Sequence, residues 1–275
     1  MATYDEALSR LGFQYESRVV DTHFGETHVL AIGLEDAPPL VVLHGGNFLN
    51  PLCLSWFAPL AESYRLYSPD LIGQPGKSAQ VRPPAHSDGH AQWSLDLLDA
   101  LDLKRVPFVG ISYGGGIALR VAGYAPERVS HAALVSPAGL ASGSTWGMVR
   151  EVVGPMLLYM SSPNCERLLR AAKPILTELE EPYVRQLGAI YRNVKLDTQL
   201  PRMATQEELT DFGAPTLIFV SEEDVFFPGE VVAERAKEIV PNLVAIEALE
   251  GERHVPSRQS FAYINSKIVD FLRNN

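Results

Sequence analysis

Cysteine is scarce: Cys53 and Cys165 are the only two in 275 residues, with no C-x-x-C pair and no paired histidines beside either. Neither a disulfide framework nor a thiolate zinc site is expected, and two free thiols suit a reducing compartment, so the expected location is cytoplasmic. Met1 to Arg10 carries Asp5 and Glu6 and lacks the basic start and apolar core of a signal peptide. No uninterrupted apolar stretch is long enough to span a bilayer, so no membrane insertion is expected. Clusters of Lys and Arg are missing as well, and the formal net charge is −10. Nucleic acid is excluded on that ground, because phosphate binding needs concentrated positive charge, and anionic membrane surfaces are disfavoured for the same reason. What remains, 46% hydrophobic and 20% charged, is an ordinary globular composition in a chain that suits one large domain or a domain with an inserted subdomain.

The stretch Val109-Gly110-Ile111-Ser112-Tyr113-Gly114-Gly115-Gly116 organises the rest. The apolar run Val106 to Ile111 stops at Ser112, and the helix-compatible run Gly115 to Ala125 follows at once, so a strand turns sharply into a helix at the serine. G-x-S-x-G in that setting is a nucleophile elbow, with glycines where side chains would clash. Ser112 then lies beside a helix N-terminus, whose free N–H groups suit a developing oxyanion.

Strands are expected at Gln14 to Val20 and Thr27 to Ile32, joined as a hairpin, and at Arg65 to Ser68. Pro39 to His44 is apolar without alternation, the mark of a strand buried on both faces. Trp93, Leu97, Leu98 and Leu101 recur at helical spacing between Asp88 and Leu103, ahead of the Val106 strand. Strand, crossover helix and strand in succession build a parallel sheet. Val129 to Val135 reads as a further strand. From Ala138 to Asp211 the strand grammar lapses into helix-like blocks separated by Pro155, Pro163, Pro174, Pro182 and Pro201, an inserted helical cap over residues 138–211. The core is then 1–137 together with 212–275. It resumes with a strand at Thr216 to Val220, a helix at Gly229 to Val240, a strand at Leu243 to Ile246 and a closing helix at Phe261 to Leu272.

A serine hydroxyl needs a base to take its proton, and the base needs a third group to orient it. Asp224 follows one expected buried strand and His254 the next, so both emerge at the carboxyl end of the sheet beside Ser112, in the chain order Ser, Asp, His. His254 is the candidate base. Asp224 is preferred to Glu222 and Glu223 because Val225-Phe226-Phe227-Pro228 behind it is apolar enough to be held inside. Tyr113, just after the nucleophile, supplies one oxyanion N–H, and Gly46 or Asn47 in the loop after His44 the other.

Leu43-His44-Gly45-Gly46, the glycines and serine after Asp70 (Gly73, Gly76, Ser78), the elbow, Asp224 with Pro228, and His254 together resemble the α/β-hydrolase family in its capped, esterase-like branch. Within that branch the Asp70 stretch and the Trp93 to Leu103 helix look most like bacterial carboxylesterases. The resemblance implies an α/β fold with an eight-stranded, mostly parallel sheet, its second strand antiparallel, flanked by helices and carrying a helical lid. It implies no cofactor and no metal. It also implies a serine esterase that cleaves a small-molecule carboxylic ester through an acyl-enzyme. Two positions depart from the family pattern: Arg253 where many relatives have Gly before the histidine, and Ile111 where many have His before the nucleophile.

The same triad serves C–C, thioester, lactone or amide hydrolysis and perhydrolysis, and the fold also serves small-molecule binders with little turnover. Trp146, Met148, Met156, Leu157, Tyr159, Met160, Tyr183 and Tyr191 offer an apolar acyl pocket or plain core, and with the former comes a preference for medium, largely uncharged or aromatic acyl groups. Oligomeric state is open, a homodimer included.

Overall fold

The computed structural model describes residues 2–84 and 86–275. Among these, eight strands form one sheet: β1 (Glu16–Thr22), β2 (Gly25–Ile32), β3 (Pro39–Leu43), β4 (Arg65–Pro69), β5 (Val106–Ile111), β6 (Val129–Val135), β7 (Thr216–Ser221) and β8 (Leu243–Leu249). Their spatial order is β1-β2-β4-β3-β5-β6-β7-β8. β2 runs antiparallel to both its neighbours, and every pair from β4 onward is parallel. The expected sheet, including its one reversed strand, is therefore the sheet found.

Alternate residues of the central strands feed two cores. Val42, Val109 and Phe219 face one side; Val41, Phe108 and Ile218 face the other. Helices α1 (Ala2–Ser9), α2 (Asn50–Phe57) and α10 (Arg258–Asn274) cover the first face, and α3 (Gly89–Ala100), α4 (Tyr113–Tyr124) and α9 (Gly229–Ile239) the second. Because both faces are covered, β3, β5 and β7 carry near-continuous apolar sequence, the signal that identified them.

Between β6 and β7 the chain makes α5 (Thr145–Met148), a π-helical turn (Val149–Val153), α6 (Gly154–Ser161), α7 (Cys165–Ala172) and α8 (Glu181–Asn193). Pro155 does not break this run as expected. It stands where the π-helical turn runs into α6, with Val153 and Gly154 before it in helical conformation, whereas Pro182 stands in the first turn of α8 behind the extended Glu180, where its missing N–H costs nothing. The insertion touches the sheet end at several places, among them Gly143 N–H, which donates to Phe226 O in the loop after β7 at 2.6 Å. Leu176 forms a parallel bridge with Val255, and the segment at Asp197 meets the loop after β3. Tyr159 and Tyr191 are core residues of this layer, whereas Trp146, Leu157 and Met160 face solvent, Trp146 being 73% exposed. The expected apolar acyl pocket is not built from those three.

Candidate active site

β5 delivers Ser112 at its carboxyl end with φ 54° and ψ −118°, a left-handed, strained conformation for a residue with a side chain. The flanking glycines are required by packing. A Cβ on Gly110 would stand 2.7 Å from the Gly114 carbonyl oxygen, and one on Gly114 only 2.2 Å from that of Leu43. The turn into α4 is thus as tight as the sequence pattern implies.

Asp224 follows β7 and His254 follows β8, and the parallel register of the two strands brings both loops to the same edge. Ser112 Oγ lies 2.8 Å from His254 Nε2, and His254 Nδ1 lies 2.8 Å from Asp224 Oδ2. A carboxylate only accepts, so Nδ1 carries the proton and Nε2 is left to accept from the serine hydroxyl. The other carboxylate oxygen, Asp224 Oδ1, accepts the N–H groups of Phe226 (2.8 Å) and Phe227 (3.1 Å), which fixes the acid. The two phenyl rings lie 4.8 and 5.4 Å from the imidazole, tilted about 60° to it, so the imidazole sits against apolar walls. Asp224 and His254 are both buried.

Three contacts hold the histidine loop that no sequence motif announced. Arg253 N–H donates to Thr177 Oγ1 (2.8 Å), Val255 N–H to Ile175 O (2.8 Å), and Thr177 N–H to Val255 O (3.1 Å). Glu252 accepts from Ser257 N–H, Ser257 Oγ and Ser260 Oγ at 2.7, 2.5 and 2.6 Å. Burial opposes its charge, and these hydrogen bonds outweigh burial and hold its pKa below the usual glutamate value. The Arg253 guanidinium pairs with Glu223 at 3.3 Å, which occupies the cation that replaces the family glycine.

The oxyanion candidates separate. Tyr113 is the first residue of α4, so its N–H has no acceptor within the helix. Gly46 lies against it, a Cβ there standing 3.1 Å from Tyr113 Cβ, and no described residue accepts the Gly46 N–H. Asn47 N–H, by contrast, donates to Gln74 Oε1 at 2.8 Å and is not free. His44 accepts from Leu71 N–H (2.9 Å) and bonds Gly45 O (2.7 Å), and burial lowers its pKa, so it is a neutral brace beneath the loop.

Tyr113 Oη meets His90 Nε2 at 3.1 Å in a buried pair under the elbow. Burial pushes His90 from its ordinary 6.5 down to about 4. The folded pKa is below the unfolded one, so between these values the unfolded chain binds a proton that the folded chain refuses, and stability falls as pH drops through that window. The loss attributable to His90 is about 3 kcal/mol by pH 4. Urea titrations at pH 7 and pH 4.5 should show a larger drop in unfolding free energy for wild type than for His90→Gln, by roughly 2 kcal/mol. Equal drops would remove His90 from the acid sensitivity.

A serine on a strand-to-helix elbow, followed by an acid and a histidine from the ends of the last two strands of a mostly parallel sheet, defines an α/β hydrolase. Residues 38–160 match the α/β hydrolase fold family. The chain is also 30% identical over 277 residues, 98% of its length and 91% of the relative's, to a Bacillus subtilis protein named uncharacterized carboxylesterase nap. It belongs to the α/β-hydrolase family. Among solved structures, naproxen esterase (carboxylesterase NP) of Bacillus subtilis superposes with a TM-score of 0.84 at 29% identity, covering 98% of this chain and 96% of that one. Carboxylesterase CesB (YbfK), also of Bacillus subtilis, gives a TM-score of 0.84 at 26% identity, with coverage of 100% and 97%.

Proposed function

We propose that the protein is a serine carboxylesterase in which Ser112 is the nucleophile, His254 the general base and acid, and Asp224 the acid that orients it. The observation that carries this reading is the unbroken relay of two 2.8 Å contacts from Ser112 Oγ through the imidazole to a carboxylate that two backbone N–H groups already hold. The names of the two Bacillus relatives support the choice of an ester bond.

Ser112 Oγ attacks the acyl carbon while its proton passes to His254 Nε2. The carbonyl oxygen, now an anion, is received by the N–H groups of Gly46 and Tyr113. The C–O bond to the alcohol breaks as His254 returns the proton to the leaving oxygen, which leaves an acyl ester on Ser112. Water, deprotonated by the same imidazole, then attacks the acyl carbon and releases the carboxylic acid and the free serine. Residues 138–211 act as a cap over this centre. A neutral, apolar acyl group is the substrate class, since Phe226 and Phe227 wall the base and the chain's net charge of −10 repels anions.

A fluorophosphonate tests the nucleophile directly: serine displaces fluoride and keeps the phosphonyl group. After trypsin, the mass gain is expected on the peptide 106–120, which contains Ser112. A gain on any other peptide, with this one unmodified, would overturn the assignment.

A further inference from the structure

The loop that presents Gly46 is held from the helical insertion. Asn47, the next residue, is in the left-handed region at φ 51°. Its side chain pairs with the backbone of Asp197 in both directions: Nδ2 donates to Asp197 O at 2.7 Å, and Asp197 N–H donates to Oδ1 at 2.8 Å. These residues are 150 positions apart. Gln74, buried in the loop after β4, closes the figure. It accepts Asn47 N–H through Oε1 and donates from Nε2 to Asp197 Oδ2 at 2.9 Å. Arg82 braces the same segment, donating to the carbonyls of Lys195 and Leu196 with its Nε 3.9 Å from Asp197 Oδ2.

Every polar group of the Asn47 side chain is therefore spent on the insertion, and its amide on Gln74, while the N–H one residue earlier is left free. An amide that pairs with both N–H and C=O of one residue fixes orientation as well as distance, as a strand bridge does. We propose that Asn47, Gln74 and Asp197 form a positioning clasp by which the segment returning from the insertion sets the aim of the Gly46 N–H. Asn47 then acts on the oxyanion through Gly46 and does not touch it. This inference rests on the serine-esterase reading of the Ser112 site.

Asn47→Gly tests it, because glycine adopts φ 51° without strain and only the side-chain pairing is lost. Wild type and variant are titrated with a fluorophosphonate, and aryl-ester kcat is expressed per titrated Ser112. The expected result is a fall in kcat of about 10- to 100-fold, below the full loss of one oxyanion donor, with KM changed less than about threefold. The inhibition constant of an alkyl trifluoromethyl ketone, which adds Ser112 Oγ to its carbonyl carbon and places an oxyanion in the same hole, should rise by the same factor as kcat/KM falls. Gln74→Ala and Asp197→Ala should give smaller losses of similar size, and their double variant no more than either alone, since one unit is broken. Asp197→Asn, which keeps an acceptor for Gln74, should restore the wild-type rate.

A per-site kcat for Asn47→Gly within twofold of wild type overturns the clasp. So does a rate loss matched wholly by fewer titrated sites, which marks a fold defect. Failure of wild type to titrate at Ser112 is a different result: it removes the esterase reading, and the clasp with it.

Discussion

Ser112→Ala is expected to lower kcat for an aryl ester by about 10⁴-fold or more, because it deletes the atom proposed to form the acyl bond and leaves only binding and the proposed oxyanion N–H groups to act. The fold should survive. Alanine keeps the Cβ, so it meets the same left-handed backbone at φ 54° that serine does, and the Ser112 side chain contributes one hydrogen bond, to His254. The strain at such a position is on the order of 1–3 kcal/mol. Ser112→Gly relieves it, partly offset by the greater freedom of the unfolded glycine, so that variant should melt at or above the wild-type temperature while equally inactive. Release of the aryl alcohol measures the first effect and thermal denaturation the second. Substantial turnover in either variant would show that another group is the nucleophile. A lower melting temperature for the glycine variant than for the alanine variant would show that the elbow is not strained.

Legibility of this chain in its sequence follows the range of the forces involved. The central strands were readable because burial on both faces removes alternation, and the elbow because glycine, serine and the change of period fall within eight residues. Asp224 and His254 were readable from their places after consecutive strands, since a parallel register carries strand ends to one edge. Boundaries were less so. β8 continues to Leu249, past the Ile246 expected, and α2 (Asn50–Phe57), with Pro51 in its first turn, carries no apolar period that marks its start. α10 begins at Arg258, capped by Ser257 Oγ accepting from Ser260 N–H.

Contacts made only in the folded chain were not legible. α1 is eight residues long and has no strong apolar period. It is secured by Tyr4 Oη donating to the buried Asp70 at 2.7 Å and by Lys77 above the Tyr4 ring at 4.9 Å. The pairing of the Asn47 N–H depends on Gln74, whose side chain accepts it from 27 residues away. The hold on the histidine loop came from Thr177 and Ile175, in a part of the chain where only the proline spacing had been informative.

Gly114→Ala should be among the most damaging single-methyl changes in the molecule. A Cβ there would stand 2.2 Å from Leu43 O, 2.6 Å from Leu43 C and 2.7 Å from His44 O, so it collides with main chain that no rotamer change can clear. β3 cannot retreat, because it is paired on one side to β4 and on the other to β5, with Leu43 opposite Gly110. α4 cannot lift without disturbing Ile117, Leu119 and Val121, all buried in the core it shares with that face of the sheet. The cost of forced overpacking of this kind is about 3 kcal/mol or more. That corresponds to a melting temperature lower by roughly 6–12 °C, or to failure to accumulate folded protein. Gly213→Ala is the matched control: nothing lies within 4 Å of its Cβ, and its melting temperature should move by no more than about 2 °C. If the two variants melted alike, the close approach at the elbow would not be a constraint on this fold. The collision also falls on the two residues that lead into Gly45 and Gly46. Whatever Gly114→Ala protein does fold should therefore show a kcat depressed beyond its loss of stability, since the same displacement that relieves Leu43 moves the Gly46 N–H, the proposed oxyanion donor.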